Sequence, residues 1–280
     1  MTKIVFIHRG GPIMASYRYR AEIPTQELRK VNGYQVEING GEADIVIFSK
    51  PMSEDVELAK SVKAQGCRVI VDIGDDHLAH QIVGPIYKAM IDVADTLVTP
   101  TKEMAERLYR VSGKSAVIIP DPYEYPLGPP HAVGKNLLWF GREQNLKDLK
   151  PWKNALMGWD LTIVTGPSPR EGCLHWSHEN MLFALGQANI VILPTRAGHE
   201  YKSCNRLLNA VRAGCFVVAS PHPAYEEFRT MLWVGQLKTG LQWAMAFPDD
   251  LNGLVAQAQG YVEANYSPAK VAGQWAQLIG

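Results

Sequence analysis

The chain has 280 residues, 46% apolar and 20% charged, which is enough to bury one large core or two of ordinary size. Its 28 basic residues balance its 28 acidic ones, which excludes a bulk pull toward nucleic acid or a membrane surface and leaves only local patches. No apolar run approaches the ~18 residues of a membrane helix, so no integral membrane contact is expected. Met1-Thr2-Lys3 leads straight into a strand-like run, so no signal peptide is expected. Cys67, Cys173, Cys204 and Cys215 show no CxxC pairing, and the expected setting is reduced and cytoplasmic.

Residues 3–8 form a compact apolar run that stops at Gly10-Gly11-Pro12, a sharp loop. Residues 16–31 have helical spacing, bent or broken at Pro24. Further buried-type strands are predicted over 44–48, 67–72, 96–99 and 116–119, with helices over 54–65, 84–93 and 102–111 between them. Strands that alternate with helices imply βαβ units and a parallel sheet. Pro120, Pro122, Pro126, Pro129 and Pro130, with Gly128 and Gly134, then break the pattern, and residues 121–134 read as an exposed linker.

The pattern resumes with strands over 136–140, 161–165, 190–194, 216–219 and 232–234. Helices are expected over 152–157, 178–187, 205–213 and 249–265. Residues 267–279 form a last helix with Pro268 at its start and Val271, Trp275 and Leu278 at helical spacing. The expected division is therefore 1–120, a linker over 121–134, 135–265, and a terminal helix over 266–280.

The most informative stretch is 202–220. A polar loop enters an amphipathic helix, Gly214 closes it, and a short apolar strand follows. The loop would lie at the carboxyl edge of a parallel sheet, where open α/β folds bind ligands at helix amino ends. Upstream, Trp139-Phe140-Gly141-Arg142 ends an apolar run and Lys147 follows. A guanidinium is a permanent fork for phosphate oxygens, and an ammonium adds a point charge. Alone, Arg142 and Lys147 would be a solvated pair; beside 202–220 they read as diphosphate ligands.

Gly10 and Gly11 let the backbone approach a ligand, but GxGxxG is absent, and by themselves they read equally as a tight turn. In Tyr17-Arg18-Tyr19-Arg20, the cations could reach a ligand and the rings could stack on it, or the segment could be an ordinary amphipathic helix start. Asp72-Ile73-Gly74-Asp75-Asp76-His77 ends a strand with three carboxylates and an imidazole, suited to orienting hydroxyls or moving a proton. A divalent cation or simple helix capping are its alternatives. His175 and His178 flank Ser177, which reads as an N-cap rather than part of a metal site. There is neither a GxSxG elbow nor a Walker A loop.

Together these segments resemble, over nearly the full length, a small GT-B glycosyltransferase of the retaining, nucleotide-sugar-dependent type. The resemblance rests on 137–142 with Lys147, on 188–195, on 205–220, on Gly10-Gly11 and the Arg18/Arg20 helix, on 98–104, and on the tail from Tyr266 through Trp275. It implies an α/β fold of two Rossmann-like domains with parallel sheets facing a cleft. The second domain would hold a nucleotide-sugar donor and the first an acceptor, and the tail would cross back to the first domain. Catalytic candidates are Asp76, His77, Arg142 and Lys147. Donor-binding candidates are Gly10, Gly11, Gly141, Arg142, Lys147, Thr165, Glu200, Lys202, Asn205, Arg206 and Asn209. Acceptor-binding candidates are Tyr17, Arg18, Arg20 and Asp75.

No cofactor and no metal are expected, since cations and helix amides can carry the diphosphate charge. The resemblance implies retention at the anomeric carbon. One departure stands out. Where such enzymes carry two Glu residues around the donor helix, this chain has Tyr201, next to Glu200, and Asn209. The acceptor stays open. A hydroxymethylated base in DNA, an epimerase on the same fold, and a binding protein without turnover are the competing readings.

Overall fold

The structure is a computed structural model describing residues 1–166, 171–196 and 198–280. The chain divides into two compact units. Unit 1 comprises Met1–Pro122, Tyr201–Ser203 and Tyr266–Gly280; unit 2 comprises Tyr123–Glu200 and Cys204–Asn265.

Unit 1 is built from β1 (Thr2–Ile7), α1 (Ala15–Tyr17), α2 (Ile23–Leu28), β2 (Tyr34–Ile38), β3 (Ile45–Ser49) and α3 (Ser53–Ala64). It continues with β4 (Arg68–Asp72), α4 (Val83–Val93), β5 (Thr96–Thr99), α5 (Lys102–Ser112) and β6 (Ala116–Ile118). Its six strands run parallel in the order β2-β1-β3-β4-β5-β6. Ile4 stands opposite Val36 on one side and Ile45 on the other. Continuous Val/Ile/Phe runs serve this sheet because both of its faces are covered. Val5, Val46, Phe48, Val69 and Val71 point to one face, packed with α3, α4 and α5; Ile4, Phe6, Ile45, Ile47 and Ile70 point to the other.

That second face is closed by α2 and by the terminal helix α10 (Pro268–Ile279), whose Trp275 is fully buried with its ring edge-on to Phe6 at 5.7 Å. The helix predicted over 16–31 is interrupted. A π-helical turn, Arg18–Glu22, separates α1 from α2 just before Pro24. Proline removes one ladder hydrogen bond and crowds the preceding turn, and a widened turn relieves that crowding. Strand β2 escaped prediction because only Val36 of Tyr-Gln-Val-Glu-Ile is buried.

Unit 2 contains β7 (Asn136–Phe140), a 3-10 run (Glu143–Trp152), β8 (Asp160–Thr165), β9 (Leu174–His175), α6 (His178–Gln187) and β10 (Ile190–Leu193). Then come α7 (Asn205–Ala213), β11 (Phe216–Ala219), a 3-10 turn (Pro223–Phe228), β12 (Trp233–Val234), α8 (Leu237–Ala246) and α9 (Pro248–Tyr266). Its strands are parallel in the order β12-β11-β10-β7-β8-β9. The helix expected over 152–157 is a set of turns, because the 3-10 run carries Pro151 near its end and Gly158 follows at φ +83°. Helix α8 was not predicted, and Gly240 within it packs against Trp233 and Val218.

The expected exposed linker is corrected. From Tyr123 onward the Pro-rich stretch is packed into unit 2, with Tyr125 and Ala132 buried. The Gly128 amide donates to Arg212 O and the His131 amide to Gly214 O, both at 2.9 Å. The side chain of Gln259 donates to Gly128 O at 2.9 Å. A Cβ on Gly128 would lie 2.3 Å from Ala213 O, so this glycine is required by close backbone approach.

Candidate functional site

In unit 2 the chain steps outward from β7 to β8 and β9, then returns to β10 on the other side of β7. The carboxyl ends of β7 and β10 therefore form a topological switch point, where open α/β sheets leave a ligand crevice. Gly141 and Arg142 follow β7, Thr195 and Arg196 follow β10, and α7 begins after the same loop.

Gly141 is held from two sides. Its amide donates to Val164 O at 3.1 Å, and Thr165 Oγ1 donates to its carbonyl at 2.8 Å. A Cβ here would lie 3.1 Å from the Trp139 ring. Arg206, in the first turn of α7, donates from Nη1 to Phe140 O at 3.2 Å and reaches buried Tyr225. The structure thus gathers Gly141, Thr165 and Arg206, with Arg142 exposed at the head of the 3-10 run. Asn205 is half-buried at the start of α7. Lys147 is exposed and lines a groove of about 500 Å³ with Lys150, Lys153, Leu156, Leu161 and Ile163. Glu200 and Lys202 are both exposed, but Glu200 groups with unit 2 and Lys202 with unit 1.

Two donor candidates have other work. Thr165 is 1% exposed and its hydroxyl is spent on Gly141, so it shapes the loop instead of reaching a ligand. Asn209 is also 1% exposed, and its Oδ1 accepts the Glu124 amide at 2.9 Å. Asn209 thus anchors the 123–134 segment to α7.

Sequence reasoning missed Asp148, Arg196 and His222. Asp148 is buried, with Arg196 Nε 3.5 Å from its Oδ1. His222 is buried after β11; its Nδ1 accepts the Ala224 amide at 3.2 Å, so Nε2 carries the proton and donates to His199 O at 2.8 Å. The signal for Arg196 was its place just past the apolar run 190–194. Nothing in the sequence marked Asp148 or His222.

Unit 1 has its own switch point, between β1 and β3. After β1, Gly10 donates its amide to His8 Nδ1 at 2.9 Å, and a Cβ on Gly10 would collide with Met14 Sδ at 2.2 Å. Gly11 faces open space. His8 is fully buried, with Nε2 3.2 Å from Ser16 Oγ and its ring edge-on to Tyr17 at 5.4 Å. Burial, then the Lys50 ammonium, lower the His8 pKa to about 4. Its Nδ1 lone pair is already engaged by Gly10, which agrees with a neutral ring. Lys50 follows β3 in the left-handed region at φ +55°, uncommon for a residue with a side chain. Neither His8 nor Lys50 was a candidate in the sequence.

Half-buried Asp75 and His77 lie past β4. Burial lowers the His77 pKa, Asp75 opposes this, and Lys50 adds to it. Three candidates are corrected. Arg20 is 3% exposed and donates to both carboxylate oxygens of Asp72, so it holds the core of unit 1 and is closed to an acceptor. Arg18 is buried and donates from Nη1 to Pro12 O at 2.6 Å, clamping the loop after β1. Asp76 accepts from the Leu78 amide at 3.1 Å and Arg107 Nε at 3.2 Å, so its carboxylate is engaged at the turn before α4 and by α5.

Among the described residues, no three His, Cys, Asp or Glu side chains converge as a metal site, and all four cysteines are free thiols. No helix among them is long and apolar enough to cross a membrane.

No protein-family model and no curated protein sequence matches the chain. Solved structures do resemble it. A glycosyltransferase from Rickettsia africae matches with a TM-score of 0.71 at 11% identity, over 99% of this chain and 97% of that one. An alpha-glucosyltransferase in complex with UDP and a 13-mer DNA containing a HMU base matches with a TM-score of 0.68 at 10% identity, over 99% of both chains. A UDP-GlcNAc 2-epimerase from Neisseria meningitidis bound to UDP-GlcNAc matches with a TM-score of 0.56 at 9% identity, over 99% of this chain and 98% of that one. At such identities the likeness is one of fold, and the chain has the GT-B architecture of two Rossmann-like α/β units, each with a parallel six-stranded sheet.

Proposed function

We propose that the chain is a glycosyltransferase that moves a sugar from a nucleotide-sugar donor to a hydroxyl acceptor, with retention and without an essential metal, in the cytoplasm. The observation that carries this reading is the unit 2 crevice, where Gly141 past β7 meets Arg206 at the head of α7, with the exposed Arg142 next in the chain. Closely held glycine backbone, helix amides and guanidinium groups at a switch point suit a diphosphate. Catalysis then consists of stabilising the charge that builds on the leaving diphosphate, the task of Arg142, Lys147 and the α7 amides. Unit 1 takes the acceptor, with Asp75 and His77 as the groups that orient its hydroxyl.

The transferase structures resemble the chain more than the epimerase does, at TM-scores of 0.71 and 0.68 against 0.56, which favours transfer over epimerisation. A hydroxymethylated DNA base is the second reading of the acceptor, because one of those neighbours holds DNA. The test is a panel of nucleotide sugars assayed by thermal shift and by donor hydrolysis. A donor at a hundred times its Kd should stabilise the protein by about 2.7 kcal/mol. Binding without slow hydrolysis would leave a binding protein, and conversion of the sugar without any acceptor would reveal an epimerase. If DNA is the acceptor substrate, its binding will weaken steeply with salt.

A further inference from the structure

We infer that Arg196, held by Asp148, binds the donor's phosphate groups in the unit 2 crevice, an assignment that rests on the nucleotide-donor reading above. Arg196 lies three residues past β10, opposite the segment that follows β7. Asp148 belongs to that segment. Its side chain is 5% exposed, and its Oδ1 makes no hydrogen bond but lies 3.5 Å from Arg196 Nε. A buried carboxylate oxygen left without a donor is costly, and here the group it faces is a guanidinium. The second restraint is His199, whose Nε2 lies 3.3 Å from Arg196 Nε and 3.4 Å from Nη2. The His199 carbonyl is fixed in turn by His222 at 2.8 Å. Segments past β7, β10 and β11 thus converge on one cation.

A guanidinium carries five N–H donors in a planar fork. The contacts to Asp148 and His199 use Nε and Nη2, so the group can keep its restraints while presenting donors to phosphate oxygens. A cation oriented before the ligand arrives loses less freedom on binding than a mobile one. Asp148 and His199 act on the ligand only through Arg196 and are positioning residues.

The experiment measures UDP and uridine binding to the full chain by ligand-observed NMR, for wild type and for Arg142→Ala, Arg196→Ala, Asp148→Asn and the Arg196→Ala/Asp148→Asn double variant. Circular dichroism checks each fold. Arg196→Ala is expected to weaken UDP by about tenfold to a hundredfold, the worth of a hydrogen bond to a charged group, and to leave uridine unchanged. Asp148→Asn should shift UDP in the same direction, and the double variant should bind no more weakly than Arg196→Ala alone. Equal losses of UDP and uridine in Arg196→Ala would mean general loop support and overturn the assignment. Wild-type UDP affinity in Arg196→Ala, with a loss in Arg142→Ala, would overturn it and leave the donor reading standing. A wild-type chain that binds neither these probes nor any nucleotide sugar of the panel above would overturn the donor reading as well.

Discussion

Arg20 and Asp72 form a two-pronged ion pair in the core of unit 1: Nε and Nη2 of Arg20 donate to the two Asp72 oxygens at 2.9 and 2.6 Å, with side-chain exposures of 3% and 0%. Arg20 Nη1 also donates to Ile119 O at 2.6 Å and to Asp121 Oδ1 at 3.3 Å. The π-helical turn before Pro24 sets Arg20 in this buried stretch, and its guanidinium lies 5.6 Å over the Trp275 ring. The group ties the ends of β4 and β6 to the helix after β1.

The first prediction follows from that burial. Removing one partner leaves an uncompensated charge in the core, which typically costs about 3–5 kcal/mol. Arg20→Met, which strands the Asp72 carboxylate, is expected to lower unfolding free energy in urea by that order, and Asp72→Asn, which leaves Arg20 its contact with Asp121, by less. Unchanged urea midpoints in both variants would return Arg20 to the pool of acceptor contacts.

The second concerns pH and His8. The folded imidazole stays neutral down to about pH 4, while the unfolded one protonates near its ordinary 6.5. The unfolded state therefore binds a proton that the folded state refuses, and stability falls as pH drops from about 6.5 to about 4. The interval corresponds to about 3 kcal/mol. His77, lowered mainly by burial, acts in the same direction. Urea denaturation of wild type and His8→Gln across this range checks the sign and size. A wild type no more acid-sensitive than His8→Gln would contradict the assignment.

The third concerns the donor cations. Arg142→Ala and Lys147→Ala should each lower turnover by roughly a hundredfold, the loss typical for one charge-stabilising donor. Both side chains are exposed, so the fold should survive. Activity should also persist in EDTA. Complete loss in EDTA, restored by magnesium or manganese, would show that a metal carries the diphosphate charge and would demote Arg142 and Lys147.

Much of this molecule was legible in the sequence, for physical reasons. Buried parallel strands must be apolar on both faces, so runs such as Ile4–Ile7 or Val217–Val218 declare themselves. Helix α7 was readable because Gly214, at φ +100°, closes it and a buried strand follows. What stayed hidden was whatever depended on distant partners. Tyr34–Ile38 looks polar because it is an edge strand with one buried residue. The Pro-rich stretch looks like a linker until the backbone of Gly128 is seen against Arg212 and Ala213. At the site the error had one direction. Arg18, Arg20, Asp76, Thr165 and Asn209 are residues whose chemistry suits a ligand, yet each is spent on another part of its own unit. A sequence shows which groups can bind, and only the fold shows which are already bound.

The last prediction concerns the C-terminal helix. α10 starts with Ser267 capping the Lys270 amide, and it buries Val271, Ala272, Trp275 and Ile279 in unit 1. Arg68 Nη1 donates to the Leu278 carbonyl at 2.9 Å, fixing the end of the helix against β4. A free helix of this length is marginal in water, so its stability comes from this face. Trp275→Ala should cost about 3–5 kcal/mol, the usual penalty for deleting a large buried aromatic. Deleting 267–280 should go further and expose the Ile4, Phe6 and Ile47 face of the sheet. The donor candidates Gly141, Arg142, Lys147 and Arg206 belong to unit 2 and do not depend on that face. The truncated chain is therefore expected to lose turnover and the protection of unit 1 amides in hydrogen exchange while it still binds UDP. Full turnover after truncation would show that α10 is dispensable. Loss of UDP binding together with turnover would show that unit 2 does not hold its shape without unit 1.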